Sequence, residues 1–125
     1  MGKFNDEEEK SKALLEVVML TEMKHPFIMS AYDYEVTKRK IKYAMKLCEM
    51  NLSDYLEKNP KPETKFVQKI FYSMLHALKY LMSERKMAHR DIKPANILLT
   101  KDEVPLLADF GSAIQGREAI QKMSK

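Results

Sequence analysis

Two stretches decide the fold of this 125-residue chain: MAHRDIKPANILLT at residues 87–100 and ADFGSA at residues 108–113. Between their polar parts lie two short apolar runs, NILL and VPLLA, separated by TKDE, which predicts a β-hairpin that turns at residues 101–103. With Ile97 to Leu99 facing Val104 to Leu107, the numbers of facing residues are expected to add up to 205, which sets Asn96 opposite Asp109. Asp91 lies five residues before Asn96, so three oxygen-bearing side chains are expected to converge on one small volume. Hard oxygen donors of this kind suit Mg²⁺, which keeps several waters and takes one or two protein ligands beside substrate phosphates. The histidines at 25, 76 and 89 and the single cysteine show no zinc-ligand spacing.

Upstream, residues 7–24 place Leu14, Val17, Val18 and Met23 near one helical face, with acids in the first turn where the helix dipole favours them. His25-Pro26 is expected to end that helix, because the residue before proline is pushed out of the α region. FIMSAYDYEV and KIKYAMKL, rich in Tyr, Ile, Val and Phe and separated by TKRK, predict a β-hairpin, and NLSDYLEKN predicts a short helix stopped by Pro60. The clearest helix runs over about residues 63–84, where Phe66, Ile70, Met74, Leu78 and Leu81 recur at helical spacing after Pro62. His76 falls in that helix among aliphatic residues and takes no chemical role.

Composition bounds the class. Apolar residues make up 45% and charged residues 32%, with mixed signs and no repeat, as in one globular unit or a piece of a larger one. The longest apolar runs are a few residues, well short of the roughly 20 that a membrane span needs, and the acidic start has no signal-peptide core. With one cysteine, Cys48, and no internal disulfide, an intracellular location (cytoplasmic or nuclear) is expected, with no membrane association. A net charge of +4 is modest, and TKRKIK fits a solvated hairpin tip better than a nucleic-acid contact, so no nucleic acid is expected as partner.

HRDIKPAN at residues 89–96 and DFG at 109–111 together resemble the catalytic loop and metal-binding motif of eukaryotic protein kinases. The resemblance extends upstream. Glu16 precedes Pro26 by ten residues, as the family's ion-pair glutamate precedes its His-Pro turn, and YAMKLCEMNLSDYL matches the hinge. It implies an α+β, kinase-like partial fold with a loose start at 1–6, part of the small lobe at 7–45, a hinge at 46–50, the start of the large lobe at 51–113 and a cut-short activation segment at 114–125.

The resemblance also implies roles. Asp91 would accept the substrate hydroxyl's hydrogen bond and aim its oxygen at the γ-phosphorus of ATP. Lys93 would neutralise charge on the transferred group, and a lysine there resembles serine/threonine kinases, so protein Ser or Thr is the implied acceptor. Asn96 and Asp109 would hold Mg²⁺ against the ATP phosphates. Met45 would be the gatekeeper, the backbone of Lys46 and Cys48 would bond the adenine edge, Leu98 would close one face of the adenine pocket, and Glu16 would make the small-lobe ion pair. His89, Phe110 and Leu20 would be spine residues, with Ala31 small for such a position, and Arg90 would clamp a phosphorylated activation segment.

These 125 residues hold three glycines, Gly2, Gly111 and Gly116, and contain no Gly-rich phosphate loop, no V-A-I-K strand and no A-P-E motif. The chain by itself is therefore expected to transfer phosphate weakly or not at all. Apolar faces left open on the first hairpin and the long helix invite a protein partner. The competing function is a truncated kinase-like binding or regulatory module, and a stand-alone Mg-nucleotide binder ranks below both.

Overall fold

A computed structural model describes residues 2–3, 7–38, 40–110 and 113–115. The chain divides into two compact units, Met1–Lys24 with Met29–Leu47, and His25–Ile28 with Cys48–Lys125.

In the first unit, β1 (Gly2–Lys3), α1 (Glu7–Glu22), β2 (Ala31–Val36) and β3 (Lys40–Met45) follow in order. The sheet is antiparallel in the order β1-β3-β2, so Gly2–Lys3 form an edge strand where a loose start is expected from sequence. Helix α1 opens on Glu7, Glu8 and Glu9, which favour the positive end of the helix dipole. It buries Val17 and Leu20 and stops at Glu22, two residues earlier than expected. The end tightens first, with Met23 N–H donating to the Leu20 carbonyl three residues back at 3.4 Å, before the proline restriction at His25 acts.

The β2–β3 register runs from Ala31↔Met45 to Val36↔Ile41, with an irregularity at Tyr32. Thr37 closes the turn, its N–H and hydroxyl both donating to the Lys40 carbonyl (2.9 and 3.0 Å) and its hydroxyl accepting from Lys40 N–H at 3.1 Å. Only Ala31 and Ile41 of the two strands are buried; Tyr32 and Tyr34 face solvent. Arg39, at the tip of the expected turn, lies outside the described residues.

The second unit contains β4 (Met50–Asn51), α2 (Leu52–Lys58), α3 (Thr64–Glu84), β5 (Met87–Ala88), a 3₁₀ turn (Pro94–Asn96), β6 (Ile97–Leu99), β7 (Pro105–Leu107) and β8 (Ile114–Gln115). Asn51 caps α2, its side-chain oxygen accepting from Asp54 N–H at 2.8 Å, which satisfies a donor that the first helical turn leaves open. The buried face of α3 is Ile70, Ser73, Met74, Ala77 and Leu81, spaced at the helical repeat, and it packs on β5 and β7. Phe66 and Leu78 are only half-buried. His76 is exposed, with its ring tilted against that of Tyr72 at 4.3 Å between centroids rather than set among aliphatic side chains, because it lies off the buried stripe.

Strands β4, β6 and β7 form one antiparallel sheet, and β5 pairs with β8. On the side of β7 away from β6, Leu107 N–H donates to the Phe27 carbonyl at 2.8 Å and Ile28 bridges to Leu107, so residues 25–28 pack with this unit although they connect α1 to β2. Leu81, Leu99 and Leu107 form the dry centre of the unit, at 1%, 1% and 0% exposure.

The hairpin register differs from expectation by one residue. The observed pairs are Ile97↔Leu107, Leu98↔Leu106 and Leu99↔Pro105, so facing residue numbers add up to 204 and Asn96 opposes Ala108, not Asp109. The turn falls at residues 101–103 as expected, and a three-residue loop there is centred on residue 102, which makes facing numbers add up to 204. Glu103 N–H donates to the Thr100 carbonyl at 2.9 Å, and Glu103 takes a left-handed φ of 60° as the third loop residue. Thr100 adds its hydroxyl as acceptor for Val104 N–H at 3.1 Å.

Candidate active site

The site grows from the loop between β5 and β6. His89 is 1% exposed and both of its ring nitrogens are engaged. Nε2 lies 2.7 Å from the Ala108 carbonyl, and Nδ1 accepts from Asp91 N–H at 3.2 Å. A carbonyl only accepts and an N–H only donates, so this network assigns the neutral tautomer with its proton on Nε2. Phe110 meets the ring edge-on at 4.8 Å.

Asp91 is half-buried, and its two carboxylate oxygens have different partners. Oδ2 accepts from Asn96 Nδ2 at 3.0 Å, and the same amide nitrogen donates to the Asp91 backbone carbonyl at 2.8 Å. Oδ1 faces Lys93 Nζ at 3.6 Å, an ion pair that is partly solvated and contributes at most about 1 kcal/mol. Asn96 is buried and is itself held from both sides: its N–H donates to the Lys93 carbonyl across the 3₁₀ turn, and its carbonyl accepts from Ala108 N–H, both at 2.9 Å. Pro94 opens that turn with its φ already set, which places Asn96 at the start of β6. Asp91 is thus oriented by a closed chain of contacts through Asn96, Ala108 and His89.

Arg90 sits immediately before Asp91 with a left-handed φ of 70°, and Asp109 has φ 59°. Both are uncommon for residues with a Cβ, and held strain of this kind clusters at functional sites. Asp109 is exposed, one residue beyond the partner of Asn96, and Gly111 lies outside the described residues.

The structure joins Asp91 to both Lys93 and Asn96, leaves Asp109 two residues past the end of β7, and packs His89 on Phe110. Leu98 is half-buried on β6. Glu16 is exposed on α1, Met45 ends β3, Lys46 is exposed and Cys48 is half-buried. One participant was not anticipated from sequence: the backbone of Ala108, which bonds both His89 and Asn96. An alanine next to DFG carries no chemical signal, and only the register exposes its role. Among the described residues no group of three or more His, Cys, Asp or Glu is arranged to hold a metal. No helix of the described residues is long and apolar enough to cross a membrane.

A family profile described as "Protein kinase domain" matches residues 2–124. The chain belongs to the protein kinase family. Its α+β fold, with helices beside antiparallel strands, is that of part of a kinase domain. Among kinases it is 38% identical over 105 residues to "Cyclin-dependent kinase-like 1" of Caenorhabditis elegans, covering 83% of this chain and 30% of that protein. It is 36% identical to human "Cyclin-dependent kinase-like 4" over 83% of this chain and 27% of the relative. It is 32% identical to "Dual specificity mitogen-activated protein kinase kinase 1" of Dictyostelium discoideum, over 90% of this chain and 17% of the relative. The chain thus spans less than a third of the length of these kinases.

Proposed function

We propose that these residues carry the base and metal side of a serine/threonine protein kinase site, which moves the γ-phosphate of ATP to a Ser or Thr hydroxyl of a protein substrate. The observation that supports this most is the clamp on Asp91. One carboxylate oxygen and the backbone carbonyl are held by Asn96, while the other oxygen faces Lys93. Asp91 would orient the attacking hydroxyl and accept its hydrogen bond, and Lys93 would swing from Asp91 to the transferred phosphoryl oxygens, where its charge counts most.

The donor set fits Mg²⁺. With Nδ2 of Asn96 committed to Asp91, the amide oxygen is the atom left to bind a cation, and the exposed Asp109 carboxylate is a second hard donor. Bound there, Mg²⁺ would neutralise phosphate charge. Glu16, Met45, Lys46, Cys48 and Leu98 are the proposed nucleotide-side residues, and the setting is intracellular.

The test is Mg-ATP binding and transfer of labelled γ-phosphate to a generic Ser/Thr protein by the 125-residue chain, with Asp91→Asn alongside. Transfer is expected to be weak and to drop in Asp91→Asn by about 10²-fold or more. Undiminished transfer in Asp91→Asn would refute the role of Asp91. Complete absence of transfer with intact folding would favour the second reading, a kinase-like binding module. That reading has support in the exposed Phe71, Leu75 and Met82 of α3 and in an apolar groove of about 340 Å³ lined by Leu52, Phe66, Phe71, Met74, Ile92 and Ile97.

A further inference from the structure

The segment His25–Ile28 is the part of the second unit with no role in the chemistry above, yet it covers the open edge of β7. Its attachment is polar and specific: Leu107 N–H donates to the Phe27 carbonyl at 2.8 Å, and Ile28 bridges to Leu107. What holds Phe27 in place is His25. The Phe27 N–H donates to His25 Nδ1 at 3.1 Å, and the His25 ring lies 5.7 Å from the Phe27 ring and 5.1 Å from that of Tyr80 on α3.

We propose that His25 is a proton-operated latch: neutral, its Nδ1 accepts from Phe27 N–H and keeps residues 25–28 on β7, and protonated, it releases them. The chemistry is forced by the donor inventory. An imidazolium donates from both nitrogens, so protonation turns the Nδ1 acceptor into an N–H that confronts the Phe27 N–H. The charged and titratable groups near the ring are cationic or neutral, and none is an acid. From α3 come Tyr80 and, four residues earlier, His76, with Lys79 beside Tyr80 in sequence; Lys24 precedes His25 in the chain; β7 is Pro105, Leu106 and Leu107 and brings nothing titratable. The Tyr80 and Phe27 ring faces would attract an imidazolium. That attraction is outweighed, because burial and then the charge of His76 hold the His25 pKa below its ordinary 6.5.

The direction of the switch follows from that sign. A group whose pKa is lower in the latched form than in the released form binds more protons when released. The latch is therefore complete above pH of about 6.5 and weakens as pH falls toward the depressed value, by no more than about tenfold per pH unit. Leu107 lies two residues before Asp109 on the strand that also carries Ala108, so release would free the outer edge of the strand that organises the site.

The two faces of β7 supply an internal control. Leu107 N–H points to Phe27, and the next amide, Ala108 N–H, points to Asn96 across the hairpin. In the ¹⁵N-labelled 125-residue chain, hydrogen exchange of both amides would be followed from pH 8 to pH 5 by NMR, with the intrinsic rate removed. Protection of Leu107 should fall several-fold below pH of about 6.5 while that of Ala108 holds. His25→Asn, whose Oδ1 can take the place of Nδ1 and does not titrate in this range, should abolish the fall. His76→Gln removes a charge that depresses the latched pKa, so it should shrink the fall while leaving its onset in place, and this second variant serves if the first does not fold. A pH-independent Leu107, an unchanged fall in His25→Asn, or loss of Leu107 and Ala108 protection together would each overturn the latch.

Discussion

Asn96 offers the sharpest test of the site, because two substitutions separate its hydrogen bonds from its lack of charge. Asn96→Ala removes two donor contacts, one to the Asp91 carbonyl at 2.8 Å and one to its carboxylate at 3.0 Å. A bond to a neutral acceptor contributes about 1 kcal/mol and one to a charged acceptor about 1.5–3 kcal/mol, and half-burial of Asp91 lets water recover part of this. The expected cost is about 2–3 kcal/mol, with little dependence on pH.

Asn96→Asp has the same shape but puts a second carboxylate about 3 Å from that of Asp91; at an effective dielectric near 20 the repulsion is about 5 kcal/mol. Protonating one of the pair avoids this. Starting from a carboxyl pKa near 4, the proton costs about 5 kcal/mol at pH 8 and about 1.4 kcal/mol at pH 5, and it also restores one donor. Urea denaturation followed by circular dichroism in metal-free buffer, at both pH values and against the unaltered chain, gives the two costs. Asn96→Asp should exceed Asn96→Ala by 1 kcal/mol or more at pH 8, and approach or fall below it at pH 5. If Asn96→Asp is milder at pH 8, or costs the same at both pH values, the amide nitrogen does not face the Asp91 carboxylate and the clamp is wrong.

Two further outcomes follow from packing and backbone geometry. Leu107→Ala, at a fully buried site between α3 and the hairpin, should lower unfolding free energy by about 2–5 kcal/mol in the same denaturation experiment. Lys86→Gly should raise it by about 0.5–1 kcal/mol, because Lys86 is exposed, follows α3 and holds a left-handed φ of 50° that glycine adopts without a Cβ clash.

The larger elements were legible because each repeats a pattern over enough residues. Ile70, Met74 and Leu81 recur at helical spacing, and the Tyr- and Ile-rich runs flanking Thr37 define the first hairpin. Strands β1, β4, β5 and β8 are two residues each, too short to show any alternation. The hairpin at Ile97–Leu107 and its turn at 101–103 were placed correctly, but the register was set one residue off, because the strand ends do not show which residues pair across the turn. Within the site, the closeness of Asp91 and Asn96 was legible from their spacing and oxygen donors, while Lys93 was named only through the family resemblance. Ala108 was not legible, because it acts through its backbone, and His25 was not, because its partner is also backbone.

Pro105 gives the hairpin a property that no hydrogen bond supplies. Along β7 successive N–H groups alternate, Leu107 toward Phe27 and Ala108 toward Asn96, so position 105 falls on the side turned away from β6. Proline, lacking an N–H, forfeits nothing to β6 there. Slide the strand by one residue and the missing donor would fall inside the ladder. Pro105 thus excludes the neighbouring alignments by what it lacks, and with three strand pairs the hairpin has little else to choose among them. The alignment that pairs Asn96 with Ala108, and leaves Asp109 one residue beyond, thus rests in part on a residue outside the site.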